Sequence, residues 1–410
     1  MIGTGVFTSL GFQLVDTSNT WSILLLWLMG ALLALCGAIS YAELGTHLLR
    51  SGGEYHFLSR MYHPMIGYLS GWVSLTVGFA APIALAAMAL GEYLALYLPW
   101  SKLKTGLFAI VVISLAHSLS LRKSSRFQNA TTAVKLAIIV FFILSGFLGP
   151  TDQNAFDWSQ GWTEEIFKPA FAVSFVYVTF SYSGWNAAAY ITEEIKDARR
   201  NLPRALILGT LVVSLLYILL NLVFLRQATH ATLQGELEVG QIAAVALFGE
   251  KGGMLLSLGI GLMLISSISA MVWAGPRVIQ VMAEDHRLWR WFSVSQRGGI
   301  PVRAIWLQTT ITVLLVLTGT FEQVLLYSGF VLQLFSALAV GAVFLLRRQT
   351  GGQDGFRSPW YPLPQVLFLL LSAWVILFLF LEQPFESLLG TANVLLGWGT
   401  YQISHRLNSP

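Results

Sequence analysis

The sequence predicts an all-α polytopic membrane protein, organised as a five-plus-five inverted repeat with two extra C-terminal helices. Its 410 residues are 55% hydrophobic and 11% charged, with a mean hydropathy of +0.68, which is far from soluble composition. Apolar runs of roughly 20 residues, enough to cross a bilayer, recur along the chain. The first and sixth of the predicted spans carry glycine-containing breaks, and a spacing of five is typical of corresponding helices in two repeats.

Eleven apolar runs are long enough to span the membrane. They lie near residues 21–46, 66–98, 103–120, 129–149, 169–194, 204–225, 253–283, 304–320, 323–346, 363–381 and 385–404. A twelfth run, residues 1–15, reaches only about 21 Å, whereas the hydrocarbon core is about 30 Å thick. We therefore expect a truncated first helix, with its missing half encoded upstream of Met1. Within one transmembrane domain, repeat one covers about 1–150, repeat two about 160–346 and the accessory helices about 362–404.

The distribution of basic residues predicts the orientation. If the N-terminus is cytoplasmic, eighteen of the 24 Lys and Arg fall in inner loops and the tail, and five fall in outer loops. This positive-inside bias places both termini in the cytoplasm of a cell-membrane protein. The pI near 9.1 then reflects topology rather than a nucleic-acid partner. The single cysteine, Cys36, excludes an intramolecular disulfide and a Cys-based metal cluster.

The sixth span is interrupted by a polar stretch about halfway along it. Ser181, Tyr182, Ser183 and Gly184 follow an apolar run that would otherwise continue as a membrane helix. Bilayer hydrocarbon cannot satisfy free N–H and C=O groups, so such a break is tolerated only where it is buried in protein or lines a wet cavity. Broken helices of this kind mark binding sites in transporters. Alternatively, the small residues let two intact helices pack closely.

The first span begins with MIGTGVF, in which Gly3 and Gly5 flank Thr4. Glycine here frees backbone N–H groups, and the helix that resumes at Val6 points its positive dipole end into the gap. An anion such as a carboxylate is the natural ligand of that end. The alternative is a flexible N-terminus with incidental glycines.

Lys135 lies within the fifth span, where an ammonium is costly unless it pairs, reaches the interface or loses its proton. The eighth span offers Ser266, Ser267 and Ser269 as polar neighbours. Alternatively, the lysine stem extends along the helix towards Asn129 and the membrane surface.

Four further features carry expectations. Glu43 and Glu54 lie at the cytoplasmic end of the second span, either in gating ion pairs with arginine or as solvated loop charges. Pro82 should kink the third span. Residues 227–250 are expected to form a short outer helix. The last two spans carry no polar constellation and are expected to serve as peripheral packing or as a homodimer surface.

Several motifs resemble the amino acid, polyamine and organocation permease superfamily, nearest its L-type and bacterial amino acid permease branches. They are GTGVF, YAELGT with SGGEY, FSYSGWNAAAYITEEIKDARRNLPRA, and AGPRVIQVMAEDHRLWRWF followed by IPVRA. The resemblance covers essentially the whole chain and implies a LeuT-type fold. Members of this family carry a cytoplasmic tail and a half helix before GTGVF, and Met1 stands where that half helix should be ending.

The resemblance implies a substrate site at the two breaks. Its residues are Gly3, Thr4, Gly5, Phe180, Ser181, Ser183, Gly184, Trp185 and Asn186. The backbone of the first three would receive a substrate carboxylate, and freed carbonyls near the sixth-span serines would receive the α-ammonium. Phe180 would close over the substrate, while Trp185 and Asn186 would shape the pocket. Both charges of a buried zwitterion must be met, which fits this division. The aromatic residues could instead face lipid or pack.

The resemblance also places Lys135 where sodium-coupled relatives bind a cation, and so implies sodium-independent transport by proton symport or exchange. The predicted function is secondary active transport of amino acids by alternating access. A polyamine or organic cation permease and a non-transporting sensor are alternatives, although a cation would demand acidic residues near mid-span and none is evident. The chain shows no nucleotide loop, metal-ligand cluster or catalytic triad, so we expect no enzyme activity, cofactor or metal.

Overall fold

The computed structural model describes residues 1–95, 97–119, 122–150, 161–293, 300–350 and 355–408. Within these ranges, the side chains of residues 122–128, 350 and 408 are not described. The basic residues Arg122, Lys123, Arg126 and Arg297, which the topology argument counted, therefore lie outside the described side chains.

Every regular element in these ranges is helical. The sixteen α-helices are α1 (Gly5–Asp16), α2 (Thr20–His47), α3 (Glu54–Met61), α4 (Pro64–Val73), α5 (Ala80–Tyr93), α6 (Lys102–Leu119), α7 (Arg122–Leu148), α8 (Trp162–Glu165), α9 (Pro169–Tyr182), α10 (Ala198–Gln227), α11 (His230–Leu233), α12 (Val239–Asp285), α13 (Val302–Thr318), α14 (Phe321–Thr350), α15 (Leu363–Glu382) and α16 (Pro384–Asn408). A π-helical turn covers Ser74–Gly78, and 3₁₀ segments cover Ala187–Glu194 and Arg287–Phe292.

Each of the eleven predicted apolar runs overlaps one or more of these helices. Eight helical stretches of the described chain are long and apolar enough to cross a membrane by length and composition: Thr20–His47, Pro64–Tyr93, Lys102–Leu119, Asn129–Leu148, Ala198–Gln227, Val239–Asp285, Phe321–Gln349 and Leu363–Glu382. The apolar helix α13 is shorter. The prediction of an all-α polytopic membrane protein is confirmed.

The membrane helices pack in two groups. Helices α1, α2, α9 and α10 contact one another, and α5, α6, α12 and α13 form a second group. Helix α7 touches both α10 and α12, and α14 contacts α2, α5 and α9, so these two helices join the groups. The first and second spans thus pack with the sixth and seventh, and the third and fourth with the eighth and ninth. This is the packing of a five-plus-five inverted repeat, with α15 and α16 added outside it.

The third span is interrupted just before Pro82, as the sequence predicted. Helix α4 gives way to a π-helical turn, in which the Phe79 N–H donates to the Ser74 carbonyl at 3.1 Å, and α5 then begins. A proline ring clashes with the carbonyl four residues earlier, here that of Gly78, which is the last residue of the turn. The widened turn moves that carbonyl out of the regular ladder.

The segment between α10 and the long part of α12 covers the far end of α1. Gly249, with a φ of 71°, separates a short first part of α12 from the membrane-spanning remainder. The Gly235 N–H donates to the Gly11 carbonyl at 2.9 Å, and a Cβ built on Gly11 would lie 2.9 Å from the Glu236 nitrogen. Residues 227–250 contain the short helix α11 and the first part of α12, and the turn between them contacts α1 directly.

The last two spans make more polar contacts than the sequence suggested. Gln365 of α15 donates to Ser40 at 3.1 Å and to Ser358 at 2.9 Å, and Asn393 of α16 donates to Thr76 at 2.9 Å. The expectation that these spans carry no polar constellation is wrong, because isolated amides in an apolar run give no sign of the partner that meets them.

Candidate functional site

The sixth span breaks immediately after α9. Ser183 has a φ of −53° and a ψ of 151°, which leaves the helix, and Gly184 follows with a φ of +86°. A residue with a Cβ is strained at that positive φ, so glycine is the fitting residue there. The chain resumes as a 3₁₀ segment after Asn186. The break is therefore real, and the alternative of an intact helix with small packing residues is excluded.

The first span becomes helical at Gly5, one residue before the expected Val6. Thr4 takes the N-cap position without a side-chain capping hydrogen bond, and its carbonyl accepts hydrogen bonds from Phe7 N at 2.9 Å and from Thr8 Oγ1 at 3.1 Å. Residues before Thr4 lie outside the helix. The N-terminal end of α1, with its positive dipole, thus lies at the glycine-containing stretch.

The two breaks come together because glycine and serine face one another. A Cβ built on Gly5 would lie 2.6 Å from Ser181 Oγ and 2.7 Å from its Cβ. The Ser181 hydroxyl donates to the Tyr177 carbonyl at 2.7 Å and pairs with the Ser9 hydroxyl at an Oγ–Oγ distance of 2.8 Å. The serine side chain is therefore committed to the contact between α1 and α9, and Gly5 provides the room for it.

A cavity of about 80 Å³ lies against the second break. Of the residues that the resemblance assigns to the site, those that line it are Phe180, Ser183, Gly184, Trp185 and Asn186. The opposite wall comes from α5, α12 and α14. The Trp185 ring also packs edge-on to Tyr41, with centroids 4.7 Å apart, so it is held in place while it borders the cavity.

Gly184 and Trp185 also border a second cavity of about 550 Å³, which reaches Gly3, Lys135 and Ser267. The structure thus divides the predicted site residues into three sets. One set lines the first cavity, Gly3 and Lys135 line the second, and Gly5 and Ser181 form the contact between the interrupted helices. Thr4 is buried beside this contact.

Lys135 is buried and turned inward. Its Nζ donates to Ser267 Oγ at 2.9 Å and to the Ile2 carbonyl at 3.3 Å. The ammonium therefore bridges α12 and the residues that precede α1, and the alternative of a side chain extended towards the membrane surface is wrong. The neighbouring serines have other partners: Ser266 donates to Thr131, and Ser269 pairs with His117, each at 2.8 Å.

Glu54 is a site residue whose place the sequence did not reveal. It is only 3% exposed, it lines the first cavity, and its Oε1 accepts hydrogen bonds from Tyr41 Oη, Asn186 Nδ2 at 3.2 Å and Ser336 Oγ at 3.1 Å. Both expectations for Glu54, an arginine pair and a solvated loop charge, are wrong. The available signal was the pair Gly52–Gly53, whose φ values of 112° and 55° turn the chain back into the protein.

Glu43 follows the ion-pair expectation. Its carboxylate accepts hydrogen bonds from Arg347 Nε at 2.6 Å and Nη2 at 2.9 Å, and from the Ser358 N–H at 2.8 Å. The guanidinium carbon of Arg347 lies 3.7 Å from the centroid of the Tyr361 ring. This buried bidentate pair ties α2 to the end of α14 and to the segment before α15.

Aromatic rings from three helices contact one another at the end of α1 remote from the breaks. Phe12 stacks on Tyr177 with centroids 5.4 Å apart and on Phe321 at 5.7 Å, with interplanar angles of 15° and 4°. Tyr177 Oη also donates to Glu322 at 2.5 Å. Helices α1, α9 and α14 are thereby joined on that side of the cavity.

Polar contacts join the elements at the other end. Asp285 at the end of α12 accepts hydrogen bonds from Arg50 at 2.9 Å and from Tyr55 at 2.7 Å. The Gly52 N–H donates to the Tyr190 carbonyl at 3.2 Å, so the turn before α3 is attached to the 3₁₀ segment that follows the sixth-span break. Within the described residues, no group of three or more His, Cys, Asp or Glu could hold a metal ion.

Comparison with known proteins agrees with this architecture. A family model described as amino acid permease matches residues 1–399. The serine/threonine exchanger SteT of Bacillus subtilis (strain 168) is 30% identical over 386 residues, which cover 92% of this chain and 87% of the relative. The b(0,+)-type amino acid transporter 1 of Homo sapiens is 30% identical over 361 residues, which cover 85% of this chain and 73% of the relative.

A third relative covers still more of the chain. The large neutral amino acids transporter small subunit 2 of Mus musculus is 25% identical over 428 aligned positions, which cover 98% of this chain and 77% of the relative. These relatives are transporters and an exchanger, not enzymes. The family match along nearly the whole chain and the contact between the two interrupted helices lead to one conclusion: this protein belongs to the amino acid permease family.

Proposed function

We propose that this protein is a secondary active transporter that moves amino acids across the cytoplasmic membrane by alternating access, without sodium. The observation that carries the proposal is the meeting of two interrupted spans beside a cavity that the second break lines. Non-helical backbone within a membrane protein offers main-chain donors and acceptors that an intact helix would use internally.

The proposed substrate site divides the two charges of an amino acid between the breaks. The start of α1, around Gly3, Thr4 and Gly5, receives the carboxylate, because the first N–H groups of a helix and its dipole favour an anion. Main-chain carbonyls at the end of α9, near Phe180, Ser181 and Ser183, receive the α-ammonium. The Ser181 hydroxyl is already bonded to Ser9 and Tyr177, so this residue contributes through its backbone.

The remaining predicted residues shape the cavity. Phe180 is 5% exposed and borders the cavity, so a small rotation of its ring could cover a bound substrate. Trp185 forms part of the wall, and Gly184 permits the turn that exposes the carbonyls of the break. Asn186 holds the second break to Glu54.

Sodium independence is supported by the contacts of Lys135. Its ammonium takes the Ile2 carbonyl and the Ser267 hydroxyl, which are oxygen ligands of the kind that a sodium ion would need at this position. A second cation beside this one would meet strong repulsion at low dielectric. Exchange is the proposed mode, since one relative is named an exchanger. Proton symport is the other mode compatible with a buried lysine.

We also propose the orientation and the repeat boundaries. Both termini are proposed to be cytoplasmic, and the positive-inside bias of the sequence supports this orientation. The repeats cover about 1–150 and 160–346, with accessory helices at about 362–404. A homodimer through the accessory helices stays a prediction.

A second candidate function is an organic cation permease, and the position of Glu54 favours it. A cation substrate demands an acidic residue beside it, and the buried Glu54 carboxylate lines the cavity. The two functions differ in whether the substrate must carry a carboxylate, which the start of α1 would bind.

Uptake into proteoliposomes tests the proposal. A panel of radiolabelled amino acids is offered with sodium or with choline outside, and with or without unlabelled amino acid inside. We expect uptake that is equal in the two salts and at least about tenfold faster into preloaded vesicles. Uptake of a diamine without uptake of any amino acid would establish the second candidate, and uptake that stops in choline would refute sodium independence.

A further inference from the structure

Only one oxygen of the Glu54 carboxylate accepts hydrogen bonds from the residues that the structure describes. All three of its hydrogen bonds, from Tyr41, Asn186 and Ser336, go to Oε1. Its Oε2 accepts no hydrogen bond from any residue that the structure describes. Because a carboxylate has about four lone-pair directions on its two oxygens, half of the acceptor capacity of Glu54 is left for another donor.

The partners of Glu54 are also all neutral. No lysine or arginine in the described ranges lies within 4.0 Å of it, whereas Glu43 is paired with Arg347 and Asp285 with Arg50. A buried carboxylate with hydrogen bonds but no counter-charge is costly, and it binds a charged donor strongly once one is within reach. This second oxygen therefore favours an ammonium.

Glu54 borders the same cavity as the end of α9. Asn186 and Ser336, which hold Glu54, both line the cavity, and Gln333 borders it one helical turn before Ser336. The carboxylate and α-ammonium of the substrate are assigned to the ends of α1 and α9. The polar group contributed by α3 is thus left for the side chain.

We infer that the Glu54 carboxylate binds the end of the substrate side chain. This transporter then prefers amino acids whose short side chain ends in a hydrogen-bond donor, and it prefers an ammonium to a hydroxyl. This inference rests on the proposed function and adds the substrate class. A short side chain is favoured because Glu54 borders the cavity directly and the cavity is small, about 80 Å³. An ammonium should bind Glu54 more tightly than a hydroxyl does, because ionised donors make the stronger hydrogen bonds to a carboxylate.

Three amino acids of nearly equal size provide the test. L-norvaline, L-homoserine and L-2,4-diaminobutyrate end in a methyl, a hydroxyl and an ammonium at the same position. Isothermal titration of the purified full-length protein gives a Kd for each. We expect diaminobutyrate to bind at least about tenfold more tightly than norvaline, with homoserine between them. Equal or weaker binding of diaminobutyrate by the unmodified protein would overturn the inference without any variant.

The variant Glu54→Gln isolates the charge. We expect its Kd for diaminobutyrate to rise at least about tenfold, while its Kd for norvaline changes less than about twofold. The control Glu92→Gln makes the same substitution at a carboxylate that pairs with Lys102 and does not line the cavity, and it should leave all three values unchanged. An equal loss for the three ligands in Glu54→Gln would show a structural role and overturn the inference.

1,3-Diaminopropane separates failure of the inference from failure of the proposed function. It is diaminobutyrate without the carboxylate. We expect it not to bind, because the start of α1 would have no anion to hold. If it binds as tightly as diaminobutyrate, the amino acid function is wrong. If norvaline binds most tightly of the three amino acids, the amino acid function stands and the inferred role of Glu54 is wrong.

Discussion

The two interrupted spans are held by residues of opposite charge, and they are held in different ways. Before α1, the Lys135 ammonium donates directly to the main chain, at the Ile2 carbonyl. After α9, the Glu54 carboxylate accepts from a side chain, the amide of Asn186. The first break also touches the second through backbone, at Gly5 and Ser181. The first break is thus sensitive to backbone fit, and the second to the loss of one side chain.

The variant Gly5→Val should have the largest effect. A Cβ at this position would overlap the backbone and side chain of Ser181, so α1 and α9 must separate. Overpacking of this kind costs about 1–3 kcal/mol or more, and the separation also displaces the proposed carboxylate site. We expect no measurable amino acid binding in titrations of a purified variant that still inserts. Unchanged affinity would remove the first break from the site.

Removal of the charge at the first break comes next. In Lys135→Ala the Ile2 carbonyl loses its hydrogen bond from a charged donor, and a hydrogen bond of this kind contributes about 1.5–3 kcal/mol to stability. Initial uptake into proteoliposomes should fall at least about tenfold, in sodium and in choline alike. The control Lys251→Ala removes an exposed lysine at the start of the spanning part of α12 and should leave uptake unchanged. Normal transport by Lys135→Ala at every pH would refute the proposed role of Lys135 in sodium-independent transport.

The second break should respond more moderately. Asn186→Ala removes one of three donors to Glu54 and leaves Tyr41 and Ser336 in place. Since a hydrogen bond to a charged group contributes about 1.5–3 kcal/mol and two remain, we expect uptake to fall by about threefold to tenfold. Asn393→Ala is the matched control, because its amide bonds Thr76 and Trp72, and none of these three residues lines the cavity. Equal losses in both variants would mean that the effect is general destabilisation.

The smallest effect is expected for Gly3→Ala. The nearest atoms to a Cβ at Gly3 are the Met1 carbonyl oxygen and Ser267 Oγ, both at 3.7 Å, which is ordinary contact. Uptake should change less than about twofold, whereas Gly5→Ala should already be strongly impaired. Equal behaviour of the two alanine variants would contradict the proposed difference between these glycines.

Much of the fold could be predicted from the sequence, because spans of apolar residues and their glycine breaks are local signals. The interruption before Pro82 and the glycine at the positive φ of residue 184 follow from the chemistry of single residues. The inward direction of Lys135 was one of two open alternatives. The choice between them depends on Ser267, more than a hundred residues away in the chain.

The environment of Glu54 could not be predicted in the same way. Its hydrogen-bond partners come from α2, α14 and the residue before the 3₁₀ segment, and each lies on a different element. In the sequence, Glu43 and Glu54 look alike, since both lie at the cytoplasmic end of the second span and both have arginines nearby. Both carboxylates are buried, but Glu43 stays in α2 and pairs with Arg347, whereas the turn at Gly52 and Gly53 brings Glu54 to the cavity.

The stack of Phe12 between Tyr177 and Phe321 has a mechanical consequence. Nearly parallel rings can slide over one another and keep their contact area, whereas pulling them apart exposes both faces. Motion of α14 along the ring planes therefore has a lower energetic cost than motion perpendicular to them. The stack thus favours sliding of α14 across α1 over separation of the two helices, within the range that the hydrogen bond from Tyr177 to Glu322 allows.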